Sequence, residues 1–425
     1  MPVRESVVTQ FPKTCLVIVT KMPTIDQELR SYAAVILEVG VALQPGQDVA
    51  INAHLEHADF ARLLCDEAYR RGADLVDVWY WDPHTKLARL EHAPSDTLSR
   101  TPEWLDDRYR GLASRRGGLV NLTGDPEPDL LRNIDPARAG LDRMPGLTSR
   151  FEVQRSHEVQ WCFAAVPTTG WAQQVFGKAD VRRLWAELAA VMRLDADDPV
   201  QAWWRRMDEL VGRCRELGDQ RFDALHYLGP GTDLLVGLPA RHRWATAELR
   251  ARSGIRHVAA LPTEEVFTTP DPLRTEGVVR ASRPLALGGT LVEDLELQFA
   301  AGRVSSVRAS RGAAVVRAQF ELDAGASRLG EVALVDDTSP LQRSGILFYD
   351  TLLDESATSH IAWGGGIPDG HADYDPLRPE TLDALPINHS ATHVDFMIGG
   401  PELTVVGIRR DGTRRVILEG EKWAL

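Results

Sequence analysis

Asp74-Leu75-Val76-Asp77-Val78-Trp79-Tyr80-Trp81 and Gly118-Leu119-Val120-Asn121-Leu122, the latter closed by Gly124-Asp125-Pro126, decide the fold class of the first half of the chain. Both are short runs of β-branched and aromatic residues, and neither is long enough for a helix with a buried face. Between and before them lie segments with helical spacing of apolar residues, Asp26 to Leu43 and Ala58 to Arg71, with a further short strand at Asp48 to Asn52. Strands that alternate with helices and are themselves nearly continuous in apolar character predict a parallel sheet covered by helices. From about Ala179 to Leu217 the pattern is wholly helical. Trp203 and Trp204 in it read as packing residues, of the core or of a contact between two copies of the chain.

After Tyr227 the texture changes to short strands punctuated by glycine and proline: Asp233 to Leu238, Gly277 to Ser282, Leu291 to Phe299 and Val315 to Glu321. The expected architecture is therefore an α/β fold. An N-terminal α/β domain with a parallel sheet occupies residues 1–226, and a β-rich α+β C-terminal domain, carrying a metal site, occupies residues 227–425.

Composition narrows the functional classes. The formal charge of −13 opposes a nucleic-acid partner, whose phosphates need a concentrated positive surface. Arg70-Arg71, Arg115-Arg116 and Arg409-Arg410 are short, separated pairs that read as solvated faces. No apolar run approaches the roughly 20 residues of a membrane span, and Leu16 to Val19 is too short for a signal peptide. The four cysteines, Cys15, Cys65, Cys162 and Cys214, form no C-x-x-C pair and read as buried thiols of a reducing, cytoplasmic compartment. No G-x-G-x-x-G follows the first strand and no P-loop is present, which removes a nucleotide-binding reading.

The residues that carry chemistry cluster in the second half. Glu331 precedes the apolar run Val332-Ala333-Leu334-Val335, and a carboxylate at the mouth of a buried strand needs a cation or a hydrogen-bond donor to stay ionised. His393 and Asp395 are two apart, so on a strand both project from one face while Val394 turns to the core. Glu355 and His360, five apart, fit presentation from successive turns of a short helix or a tight loop. Glu265 adds a further acid beside a proline-led strand. Mixed histidine and carboxylate ligation suits zinc, cobalt, manganese or iron better than calcium. His371 and His389 read as surface residues or as supports of the site.

PTEEVFTTPD (262–271), EGVVRASRPL (276–285), LGEVALVDDTSPL (329–341), FYDTLLDESATSHIAWG (348–364) and NHSATHVDFMIGG (388–400) together resemble the thermophilic aminopeptidase family of metalloexopeptidases, the aminopeptidase T and S type. The likeness extends more loosely to residues 34–51, 197–204 and 228–239 and so spans nearly the whole chain. It implies two divalent metal ions, zinc, cobalt or manganese, held by Glu265, Glu331, His360, His393 and Asp395, with Glu355 a further glutamate of the site and Glu331 assigned as the bridging ligand. It also implies an aminopeptidase acting on peptides or related small amides, and a homodimer. Glu355 or Glu264 is the expected general base, since each adjoins the ligand segments.

Three positions depart from the family pattern: Ala260 stands for an asparagine, Ser356 for the asparagine of a DENA segment, and Ile367 for an active-site tyrosine. The alternatives are therefore the same fold used for other metal chemistry, such as a mononuclear Fe(II) ring-opening dioxygenase or a specialised amide-processing enzyme, or a metal-binding scaffold without turnover.

Overall fold

A computed structural model of the chain describes residues 25–425, apart from 143, 145–147, 288–289, 377, 379–381 and 383. Cys15 and the Leu16 to Val19 stretch lie outside the described residues. The N-terminal sheet consists of β1 (Val49–His54), β2 (Val76–Trp81), β3 (Gly118–Thr123), β4 (Gln160–Ala165) and the short β5 (Ala260–Leu261), in the order 2-1-3-4-5. All four pairings are parallel. Its last strand comes from well beyond Tyr227, just ahead of the segment that carries Glu264 and Glu265.

Alternation along these strands sorts the side chains. Val49, Ile51, Ala53, Val120, Leu122, Cys162, Ala164 and Leu261 project to one face and join the main core. The helices Ile25–Val35 and Ala58–Arg70 close over that face. The helical stretch expected from Ala179 to Leu217 is interrupted, forming Val181–Val191 and Pro199–Gln220, the second started by Asp198 accepting from Gln201 N with proline at its first turn. Trp203 belongs to the core, fully buried and donating Nε1–H to Met192 O at 2.9 Å. It is therefore unavailable for a contact between copies.

The remainder is strand-rich. An antiparallel sheet of eight strands begins with Phe222–Gly229 and Thr232–Gly237 and ends with Thr404–Arg409, Arg414–Glu419 and Lys422–Trp423. A separate four-stranded antiparallel sheet is built from β6 (Glu265–Thr268), β7 (Leu329–Val335), β8 (His360–Gly364) and β9 (His393–Met397), in that order. Leu291 to Phe299, expected as one strand, breaks at Asp294 (φ +51°) into Thr290–Val292 and Glu296–Ala300. Val315 to Glu321, expected as a strand, is instead the helix Ala313–Phe320. Its valines suggested a strand, but Ala313, Ala314, Arg317, Ala318 and Gln319 are good helix formers. Helical spacing then turns Val316 and Phe320 to the interior, where the Phe320 ring meets Trp363 at 5.2 Å.

Cys65, Cys162 and Cys214 form no disulfide, and no described helix is long and apolar enough to cross a membrane. His371 is buried, its segment bridged to His242, so of the two expectations for it, surface residue or support of the site, the surface one fails.

Fully buried His257 lies just before β5, and neither ring nitrogen has a hydrogen-bond partner. Burial, reinforced by His157, lowers its pKa from 6.5 to about 3. Between those values the unfolded chain takes up a proton that the folded chain does not, so stability falls as pH drops below about 6.5. Acidification from pH 7 to 5 is expected to cost about 2 kcal/mol through this group. Denaturant titrations of wild type and His257→Gln at both pH values check this: the variant should lose less stability on acidification.

Candidate metal centre

The four-stranded sheet converts sequence spacing into a site. Directly opposed residues of antiparallel strands share a face. Glu331 faces Ala362, which faces Asp395; Ala333 faces Phe267 and His360; Glu265 faces Val335; His393 faces Gly364. Glu265, Glu331, His360, His393 and Asp395 therefore all rise from one face. The other face is Val266, Val332, Leu334, Ile361, Trp363, Val394 and Phe396, all within or packed on the core, which fixes the strands against sliding by one residue.

Small residues leave room among these acids and histidines. Ala362 lies between Glu331 and Asp395 in the cross-strand row, and Ala333 between Phe267 and His360. Gly364, opposite His393, has φ +98°, and a Cβ there would lie 2.1 Å from Thr392 O. Only glycine lets β9 approach there.

The polar atoms converge closely. His360 Nε2 is 3.0 Å from Glu265 Oε2, and His393 Nε2 is 3.2 Å from Glu331 Oε2 and 3.4 Å from Asp395 Oδ1. Glu265, Glu331, His360 and Asp395 are all buried, while His393 keeps about a third of its side chain exposed, at 32%. The Nδ1 atoms face carbonyl oxygens, His360 to Thr358 O at 3.2 Å and His393 to Gly365 O at 2.7 Å. A proton on each Nδ1 leaves each Nε2 lone pair aimed at carboxylates, so acceptor faces acceptor unless a cation or an extra proton lies between them.

Electrostatics give the same result. Burial alone would lower the His360 pKa, but the Glu265 carboxylate, with Asp395 and Glu331, raises it to about 10. Glu331 is shifted up by burial and by Asp395 and Glu265. Glu355, in the 3-10 turn Glu355–Ala357, is shifted up by burial and then by Glu265 and Asp395, which places it in the same negative field. The 3-10 turn presents Glu355 and the start of β8 presents His360, so of the short helix or tight loop expected for the pair, only Glu355 lies on a helical turn. Glu265 Oε2 and Asp395 Oδ1 are buried with no hydrogen bond of acceptable geometry, despite the nearby imidazoles. Buried carboxylate oxygens without donors, facing imidazole lone pairs, fit a divalent cation.

One atom each from Glu265, Glu331 and His360 can be drawn within 4.8 Å of one another, and likewise from Glu331, His393 and Asp395. Glu264 is not among these residues. Its side chain is turned into a separate cluster, 2.6 Å from Arg193 Nη2 and 2.7 Å from Arg206 Nε, with Arg206 also 3.7 Å from Asp336. Two guanidiniums occupy its carboxylate and turn it away from the clustered acids and histidines, so it ties the start of β6 to the helix Pro199–Gln220. Spacing gave no sign of Arg193, in the turn after the helix Val181–Val191, or of Arg206, on the helix Pro199–Gln220. A cavity of about 640 Å³, lined by His157, Arg243, Trp244 and Asp369 among others, includes none of the clustered acids and histidines.

Of the departing positions, Ala260 lies in β5 beside Phe163, and Ser356 is buried with its carbonyl accepting from Ser339 Oγ at 2.9 Å. Ile367 O accepts from Thr269 Oγ1 at 2.5 Å. Its segment thus joins the end of β6 to Gly365, whose carbonyl orients His393.

A family model described as thermophilic metalloprotease (M29) matches residues 25–423. The chain belongs to that family. It is 37% identical to aminopeptidase AmpS of Bacillus subtilis (strain 168), over 95% of this chain and 100% of that protein. With aminopeptidase T of Thermus thermophilus the identity is 38% over the same shares. The solved structure of wild-type AmpT from Thermus thermophilus superposes with a TM-score of 0.85 at 36% identity, covering 95% of this chain and 100% of that one. The chain is accordingly an enzyme, a hydrolase of the metallopeptidase class. The iron dioxygenase and scaffold readings find no support among these relatives.

The small floor of the site is open to test. Ala362→Leu should fill the space between Glu331 and Asp395 and cut the metal retained through gel filtration by more than half, while costing about 1–3 kcal/mol of stability. Ile361→Val, on the opposite face, should retain metal like wild type. Metal analysis beside denaturant titration separates the two effects.

Proposed function

We propose that the enzyme is a metal-dependent aminopeptidase that releases N-terminal residues from short peptides or related small amides through two divalent ions. Glu265, Glu331 and His360 would hold one ion, and Glu331, His393 and Asp395 the other. The observation that carries this reading is the sharing of Glu331 between the two ligand groups, at the centre of the sheet face. The donor set favours zinc, cobalt or manganese, and its three carboxylates exceed what a single facial-triad iron uses. The names of the relatives supply the expected class of substrate.

When bound, such ions lower the pKa of water, polarise a carbonyl and anchor a free α-amino group. The chain's own residues orient and exclude. Thr358 O and Gly365 O fix the imidazoles through Nδ1. The buried Glu264 pair with Arg193 and Arg206 holds the segment that presents Glu265. Glu355 is the proposed general base, because it lies in the field of the ligands without belonging to either ligand group.

Two outcomes follow. Free-amino peptides should be cleaved and N-acetylated ones not, with activity abolished by chelation and kcat/KM lowered more than about 100-fold in Glu331→Ala. Cleavage that persists after complete metal removal contradicts the proposal. Ile367→Tyr restores a phenol on the segment that orients His393 and should raise kcat by up to about 100-fold, the usual worth of one donor to a developing oxyanion. An unchanged kcat would show that Ile367 does not face the substrate.

A further inference from the structure

A second concentration of unpaired polar atoms lies in the parallel sheet, on the face that does not join the main core. The strand order 2-1-3-4-5 reverses direction between β1 and β3, the point at which open parallel sheets place ligands beyond the carboxyl ends of their strands. Topology supplies only the place; side chains supply the chemistry. Trp79, Asn52, Asn121 and Phe163 form one row across β2, β1, β3 and β4, with Trp81, His54 and Thr123 one pleat nearer the carboxyl ends. The helices Glu103–Ser114 and Thr148–Arg155 bring Arg108 and Arg150 to this row.

The contacts are few and leave donors over. Asn52 Nδ2 donates to Asn121 Oδ1 at 2.9 Å, Arg108 Nη1 to Asn52 Oδ1 at 3.0 Å, and Arg150 Nη1 to Asn121 Oδ1 at 3.5 Å. Asn121 Nδ2, Arg108 Nη2 and Arg150 Nε are buried without any partner, as is Thr123 Oγ1. Asn121 is only 3% exposed. Arg108 is neutralised by Asp77 at 2.5 Å, but Arg150 meets no carboxylate within ion-pair distance among the described residues. It lies instead over Phe151 at 4.6 Å and, farther off, over Phe163 at 6.0 Å. Burial lowers its pKa, as expected of a guanidinium without an anion. Aromatic faces offset only part of that cost.

Unpaired N–H donors from three side chains and one uncompensated positive charge have an anion as their complement. We propose that Arg150, Asn121 and Arg108 form a binding site for the carboxylate or phosphate group of a small molecule, flanked by Trp79 and Phe163. The anion belongs either to a free ligand or to the C-terminal carboxylate of a short peptide; only the second source rests on the aminopeptidase reading.

Calorimetry and thermal shift on the full-length protein, with inorganic phosphate and succinate as probes at constant ionic strength, test the site without any need for turnover. Wild type should bind one equivalent of at least one probe and gain Tm with its concentration. Arg150→Gln and Asn121→Asp should bind at least 10-fold more weakly. Asn121→Asp supplies the missing negative charge and should fold with an unliganded Tm no lower than wild type, which guards against a loss of binding through misfolding. If the anion is the peptide's own, the free probes bind weakly, and Asn121→Asp raises KM for Leu-Gly at least 10-fold while leaving Leu-Gly amide unchanged. Phosphate, succinate and peptide carboxylate all indifferent to both substitutions would overturn the proposal and assign the donors to water.

Discussion

Carboxylates buried on one side of a sheet repel each other, and imidazoles turned toward them through Nε2 relieve that repulsion only if a proton or a metal ion joins them. Much of the C-terminal half is arranged around this constraint. Glu265, Glu331 and Asp395 are each less than a tenth exposed, and two of them have a buried oxygen with no hydrogen bond. Such a grouping is costly in an apolar interior, so it persists where a cation supplies the missing interaction. Ala333, Ala362 and Gly364 keep the intervening volume free of side chain.

The cost is offset elsewhere in the fold. Each strand that presents a ligand buries apolar residues on its opposite side, Val332 and Leu334 on β7, Ile361 and Trp363 on β8, Phe396 on β9, so a register slip would expose the core and bury the acids wrongly. At the edge of the sheet, β6 is held by a different device. Glu264 directs its charge away from the site into two guanidiniums while Glu265 directs its own inward, and adjacent acids thereby serve opposite purposes. The same helical region that carries those arginines packs into the core shared by both sheets.

Alternation within strands was legible in the sequence, because it is local. Glu-Val-Ala, His-Ile-Ala and His-Val-Asp each declare which residues share a face, and β1, β2 and β3 were readable as short apolar runs, whereas β4 and the two-residue β5 were not. Cross-strand order was not legible: that Ala362 would stand between Glu331 and Asp395 depends on pairings among segments separated by dozens of residues. The ion pairs of Arg193 and Arg206 with Glu264 were invisible for the same reason, since a surface-looking arginine, in a turn or on a helix, gives no sign of a distant buried acid. Val315 to Glu321 failed because β-branched residues suggested a strand where alanines and the spacing of Val316 and Phe320 favoured a helix. The polar row of Asn52 and Asn121 was hidden inside strands whose apolar faces dominated the reading.

Glu331 at the junction of two ligand groups is the centre of the account, and the location of bound metal tests it most directly. Anomalous diffraction from crystals grown with zinc or manganese is predicted to show two peaks, both within coordination distance of the Glu331 carboxylate, one also beside His360 and the other beside His393. A single peak, or two peaks of which one lies away from Glu331, would contradict it.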